Sequence, residues 1–289
     1  GAPARKQFGA ELFQCCAELC VFVRRKAAGG NRAADVGLRH RLPAKKENEM
    51  ISLERMLKIW ERYNGFYLDG LKNTLLVALV AVVLGIVLGL LVASGRMLTH
   101  NSRDHAVIKV LKSVIRFICT AYVEVLRATP LIVQVFVIYY TATGAKLILP
   151  DPTATRMMWG MVAVALNSGA YLSEVIRSGI GAVPHGQMEA ARCLGMSHWK
   201  AMRFVILPQA VRNILPALCN EFVTIIKETS VLSMVGIVDV MFQASAVASN
   251  AYIFIEPYII AALMYFVVVF PLSKLVAWFE RRMSRSVTR

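Results

Sequence analysis

The sequence predicts an all-α integral membrane fold: about five transmembrane helices joined by a structured cytoplasmic loop. Three observations carry that expectation. Hydrophobic residues make up 57% of the 289 and charged residues 18%, below the roughly 25% charged of an average soluble domain. Five windows approach the ~20 apolar residues needed to cross ~30 Å of hydrocarbon. The 33 Lys and Arg exceed the 18 Asp and Glu by a net +15, and they fall in some connections and not in others. A chain this apolar is not globally disordered.

Residues 1–49 carry ten Lys and Arg against five Asp and Glu, with three of the six cysteines, Cys15, Cys16 and Cys20. The apolar run over 10–23 is broken by Glu11 and Glu18, so it suits neither a span nor a clean signal peptide. Patterning becomes strong at Met50. Residues 50–70 are expected to form an interfacial amphipathic helix, helical over 51–68, with Trp60, Tyr63 and Tyr67 at the outer membrane surface. Residues 71–289 are expected to be the transmembrane domain.

The first span, 75–93, contains only Leu, Val, Ile, Ala and Gly. Its Gly85 and Gly89, four apart, favour close helix packing. The second, 129–149, opens at Pro130 and carries Lys146 late. The third, 157–176, holds Glu174, and the fourth, 222–241, holds Lys227 and Glu228. The fifth, 258–278, contains Pro271 and Lys274.

Short loops rich in Lys and Arg stay cytoplasmic. Arg96, Arg103, Lys109, Lys112 and Arg116 mark the first connection. Arg177, Arg192, Lys200, Arg203 and Arg212 mark the third, and Arg281, Arg282, Arg285 and Arg289 the tail. The stretch 238–257 has no Lys or Arg and 149–156 only Arg156, so both are external. Five spans then put the N-terminus outside, against the basic character of residues 1–49. Two resolutions stand: a native start at Met50, which the patterning favours, or a weak sixth span within 12–23.

No phosphate-binding G-x-x-x-x-G-K-[ST] loop occurs, nor H-E-x-x-H, G-x-S-x-G or paired C-x-x-C. The five histidines are dispersed, and Cys119, Cys193 and Cys219 are isolated. Basic residues alternate with apolar spans and form no basic domain, which excludes a nucleic-acid partner. No catalytic residue and no metal site is expected.

The third connection is the most informative. Gln187 to Leu194 reads as a short helix ended by Gly195, and Ser197 caps a second helix that starts at His198 and runs to Pro208. Glu189 is the one acid in this projection, which suits docking to a soluble partner.

These residues also carry a family resemblance. Glu189-Ala190-Ala191, then Gly195, then Val205-Ile206-Leu207-Pro208 resembles the EAA signature of ABC-importer permeases, with Val205 in place of the usual Ile. Residues 122–134, 167–177 and 220–230 are similar, in order, to segments of the polar-amino-acid branch. The likeness runs from about Gly65 to Arg282 and leaves 1–49 without a counterpart.

The resemblance implies a type I ABC importer fold and a place in the bacterial inner membrane. This chain would be one of two permeases, paired with itself or a homologous subunit. Two ATPase subunits would bind the ATP and Mg, and an external solute-binding protein would deliver polar amino acids; no cofactor is expected in this chain. The coupling residues are expected to be Glu189, Ala190, Ala191, Gly195, Leu207 and Pro208. Polar side chains at membrane depth are the candidates for solute binding: Asn167, Ser168, Tyr171 and Glu174 on span three, Glu221 and Thr224 on span four, and Thr129 and Gln134 where span two begins. Interhelical hydrogen bonding is the alternative role for each. Glu124 with Arg127 reads as an ion pair at the inner entry. A stand-alone secondary transporter would need a repeat or a coupling-ion constellation, and a membrane scaffold would leave the intramembrane polar residues without a purpose.

Overall fold

The computed structural model describes residues 52–99 and 105–284, and every regular element among them is helical. The readings made for residues 1–49, Arg103, Arg285 and Arg289 lie outside the described residues.

Helix α1 runs unbroken over Leu53–Arg96, 44 residues, or about 66 Å at 1.5 Å per residue. It contains no proline. The surface helix expected over 50–70 and the span expected over 75–93 are thus parts of one helix. The reason is packing: Ile59 and Tyr67 join Val240, Ala244, Val247 and Ile260 in one buried cluster. Tyr67, expected at the membrane interface, is fully buried and donates its hydroxyl to the Pro257 carbonyl at 3.1 Å.

Helices α2 (Ala106–Ala128) and α3 (Leu131–Gly144) follow, with a 114° bend between them. Proline has no N–H and disfavours helical geometry in the residue before it; Thr129, before Pro130, is extended at φ −113°, ψ 144°. The second span expected over 129–149 is therefore a 14-residue helix, about 21 Å long, and crosses a bilayer only together with α2. The connection read as a basic loop is itself helical, its Lys109, Lys112 and Arg116 lying on one side of α2.

Helix α4 (Pro152–Gly181) is the centre of the fold. Asp151 caps it, accepting from the Thr153 N–H at 2.9 Å, with Pro152 in the first turn. Gly85 and Gly89 of α1 lie against it: an added Cβ would stand 2.7 Å from Ser168 Oγ and 3.0 Å from Leu172 Cβ. The small-residue pair reads as expected, and its partner is α4.

Two short helices, α5 (His185–Cys193) and α6 (His198–Ala201), form the third connection. A π-helical turn, Met202–Ile206, leads into α7 (Leu207–Glu228). Pro208 therefore does not end the helix as expected. It sits in the first turn of α7, where its missing N–H matters least, and the Leu207 N–H reaches back to the Met202 carbonyl. The fourth span expected over 222–241 is broken. Helix α7 stops at Glu228, a 3₁₀ turn covers Thr229–Val235, and Gly236 turns the chain at φ +79°. Helix α8 (Val240–Ala251) starts at Asp239, whose carboxylate accepts from the Phe242 N–H at 2.7 Å. Helix α9 (Glu256–Ser284) closes the fold.

Two of these helices, α1 and α9, are long and apolar enough to cross a membrane, and four candidate spans result if each bent pair, α2 with α3 and α6–α7 with α8, counts as one. Helix α4 has the length but not the apolarity. Its middle carries Asn167, Ser168 and Ser173, all buried against neighbouring helices. Burial inside the bundle, not contact with lipid, sets its composition.

Candidate functional site

The exposed loop has the geometry its sequence suggests. Helix α5 ends in a Schellman motif: the Met196 N–H reaches the Ala191 carbonyl at 3.1 Å and the Gly195 N–H the Arg192 carbonyl at 3.0 Å. That motif needs a left-handed residue, and Gly195 supplies it at φ +81° with open space around it. Ser197 Oγ then accepts from the Lys200 N–H at 3.3 Å and starts α6. The loop is fastened to its base by Gln209 of α7, whose amide donates to Gln187 Oε1 at 3.1 Å; the helices on either side of it are joined by Asn213 of α7, which donates to the Gly179 carbonyl of α4 at 3.4 Å.

Of the six coupling candidates, Ala191 is buried and packs the helix down, while Glu189, Ala190 and Gly195 are exposed. Leu207 and Pro208 lie exposed on the first turn of α7. Sequence reasoning missed the apolar part of the surface. Leu194 is 83% exposed and Trp199 70%, on either side of Gly195.

The polar residues of the spans fall into separate groups. Pro130 cannot bond the Leu126 carbonyl four residues back. The Gln134 amide takes that role, donating to Leu126 O at 2.8 Å, Thr129 O at 3.0 Å and Thr129 Oγ1 at 2.9 Å. Asn167 in turn donates to Gln134 Oε1 at 2.9 Å. Thr129, Gln134 and Asn167 are thus one chain of hydrogen bonds across a helix break. Ser168 Oγ is buried beside Gly85 and has no hydrogen-bond partner among the described residues.

Tyr171 is 38% exposed, with the Arg127 guanidinium 5.6 Å from its ring centre. Arg127 therefore faces α4 and makes no ion pair with Glu124. Glu174 Oε2 accepts from Arg96 Nη1 at 2.6 Å and Arg177 Nε at 3.2 Å, and Oε1 from Arg177 Nη2. The i,i+3 spacing of Glu174 and Arg177 was readable; Arg96, 78 residues away, was not. Glu221 and Thr224 are half-buried on α7, with Thr224 Oγ1 donating to the Asn220 carbonyl at 3.1 Å.

A helical bundle of broken and continuous candidate spans with an exposed helical turn is the architecture of a membrane transport subunit. Residues 85–285 match the family described as binding-protein-dependent transport system inner membrane components, and the chain belongs to that family. It is a multi-pass protein of the inner membrane. It is 37% identical over 219 residues, 75% of this chain and 93% of the relative, to a putative glutamine transport system permease protein GlnP of Rickettsia typhi. The arginine transport system permease protein ArtQ of Bacillus subtilis is 35% identical over 221 residues, 75% of this chain and 92% of its own length. A solved amino acid ABC transporter with histidines superposes with TM-score 0.69 at 40% identity, covering 80% of this chain and 99% of that one.

Proposed function

We propose that this chain is a pore-forming subunit of an importer that moves polar amino acids into the cytoplasm. Two separate ATPase subunits bind ATP and Mg and supply the work, an external solute-binding protein delivers the solute, and a second permease, a copy of this chain or a homologue, completes the pore. The observation that carries the reading is the loop: a Schellman turn that exposes Glu189, Leu194 and Trp199, joined to α7 through Gln187–Gln209, with α7 joined in turn to α4 through Asn213–Gly179. Motion of a partner gripping this turn passes directly into the spans, the basis of alternating access by rigid elements.

Permeases named for glutamine, arginine and cystine are all at least 35% identical to this chain, which supports an amino acid with a polar side chain as solute. Tyr171 and Glu221 are proposed to face it, since among the solute candidates they keep surface outside the hydrogen-bond chain of Thr129, Gln134 and Asn167, while the Thr224 hydroxyl donates to the Asn220 carbonyl. Proteoliposomes holding the chain with its ATPase and binding protein, offered radiolabelled glutamine, arginine and cystine, test the proposal. ATP-dependent uptake of at least one is the expected result. Uptake by the chain alone without ATP would sink it in favour of a secondary transporter.

A further inference from the structure

We propose that Arg96 and Glu174 form a positioning pair that fixes the inner end of α1 to α4, so that α1 moves with the exposed loop. The inference rests on the importer reading, in which the loop is the driven element.

The argument starts from the carboxylate. Both Glu174 oxygens accept from guanidiniums, Arg96 at 2.6 Å and Arg177 on two sides. Three of the carboxylate's roughly four acceptor positions are taken, and the two guanidiniums beside it repel a solute ammonium, so its part is mechanical. Arg177, at i+3 on the same helix and 47% exposed, makes a local pair of the kind that contributes little. Arg96 differs. It comes from another helix, its side chain is only 13% exposed, and its position in the last turn of α1 lets the cation also face that helix's carbonyl end. A charge-assisted hydrogen bond between two partly desolvated side chains has a defined direction as well as strength.

The surroundings say what the pair fastens. Ala93 of α1 and Ile176 of α4 share one buried cluster with Val183, Ile206, Ala210 and Ile214, and Met188 of α5 packs on it. The loop, the start of α7 and the inner ends of α1 and α4 are therefore one packed block. Apolar contacts resist separation but permit sliding; the ion pair fixes the register of α1 within the block. At its far end α1 holds the chain near α8. Asn73 donates to the Val238 carbonyl at 2.7 Å, and Tyr67 donates to that of Pro257. From Tyr67 to Arg96 the helix is continuous and about 44 Å long. It is a strut joining the loop block to the 238–257 connection, and Arg96–Glu174 is its inner fastening.

The test uses the complete transporter in proteoliposomes, with glutamine, arginine and cystine as solutes. Glu174→Gln and Arg96→Gln are each expected to lower the maximal uptake rate by about fivefold or more while KM stays within about twofold, the pattern of a lost driving contact. The double variant is expected to be no slower than the slower single, because both remove one interaction. Arg96→Lys and Glu174→Asp, which keep the charges, are expected to lie between wild type and the Gln variants. A KM raised about tenfold at unchanged maximal rate would make Glu174 a solute ligand, and single losses that multiply in the double variant would show no pair. Thermal melting of the four proteins in detergent, read as the same cycle, detects the pair without transport. Coupling there with no wild-type uptake overturns the importer reading, and additivity there overturns the pair.

Discussion

Gly195 is the position where a single methyl group tests the loop. Its φ of +81° lies in the left-handed region, and a Cβ placed there meets nothing within 4 Å. The cost of Gly195→Ala is therefore backbone strain alone, about 1–2 kcal/mol for an L-residue in this conformation. At RT near 0.59 kcal/mol that is about a 5- to 30-fold rise in the opening equilibrium of the turn. The amides that report it are Gly195 and Met196, bonded to Arg192 and Ala191 carbonyls at 3.0 and 3.1 Å. Hydrogen exchange of the peptide covering 188–197 is expected to accelerate by that factor in Gly195→Ala. It should accelerate less in Gly195→Asn, because Asn tolerates the left-handed region, and most in the β-branched Gly195→Val. ATP-driven uptake should fall in the same order, since an open turn transmits less of the partner's motion. Exchange unchanged in Gly195→Ala, or a rank order set by side-chain volume with Asn exchanging as fast as Val, would refute the argument and move the role of Gly195 from conformation to contact.

Three further outcomes follow from the packing. Gly89→Leu pushes a side chain onto Leu172 and Ser173 of α4, where even a Cβ stands at 3.0 Å; overpacking costs about 1–3 kcal/mol, and a lowered melting temperature in detergent checks it, with Gly65→Leu, which meets open space, as the unaffected control. Asn167→Leu leaves Gln134 Oε1 without its donor, while Gln134→Leu leaves the Leu126 carbonyl without one. Each should cost about 1–3 kcal/mol as a buried group goes unpaired, and the pair should be non-additive in a double-mutant cycle. Trp199→Ala and Leu194→Ala remove exposed side chains, so stability should move by no more than about 0.5 kcal/mol, while co-purification of the ATPase subunits drops; retained co-purification would free that surface from the proposed docking.

The parts of the fold legible in the sequence were those governed by local pattern. Span one, the Gly85–Gly89 face, the Gly195 stop and the Ser197 cap each depend on a few neighbouring residues, and the structure places them as read. The parts that were not legible depend on partners far along the chain. Residues 53–70 have the composition of a surface helix, and only the side chains of α8 and α9 turn Ile59 and Tyr67 into core. The break at 229–239 interrupts what reads as an apolar span, because 3₁₀ and α stretches differ in hydrogen-bond step, not in hydropathy. Among the solute candidates, Asn167, Tyr171 and Glu174 have the i, i+4, i+7 spacing of one helix face, and all three lie on α4. The spacing could not show that Asn167 meets Gln134 and Glu174 meets Arg96, because those partners sit on other helices.

The helix breaks explain why so many polar residues lie inside this bundle. Away from water, every carbonyl and N–H freed by a break must find a partner within the protein. At Pro130 the freed Leu126 carbonyl is met by Gln134, which Asn167 then orients from α4. At the turn after Gly236, Asn73 of α1 donates to the Val238 carbonyl and Thr74 Oγ1 accepts from the Val240 N–H at 3.4 Å. Each break is mended by an amide or hydroxyl from a neighbouring helix. A polar side chain at membrane depth is therefore assigned to the backbone first and to the solute only when the backbone has no claim on it. Applied to the eight candidates, that rule takes Gln134, Thr129 and Asn167 for the break at Pro130. Glu174 goes to the ion pair, Thr224 spends its hydroxyl proton on Asn220, and Ser168, 1% exposed against Gly85, has no surface to offer. Tyr171, 38% exposed, and Glu221, which has no hydrogen-bond partner among the described residues, remain as the side chains proposed to meet a passing amino acid.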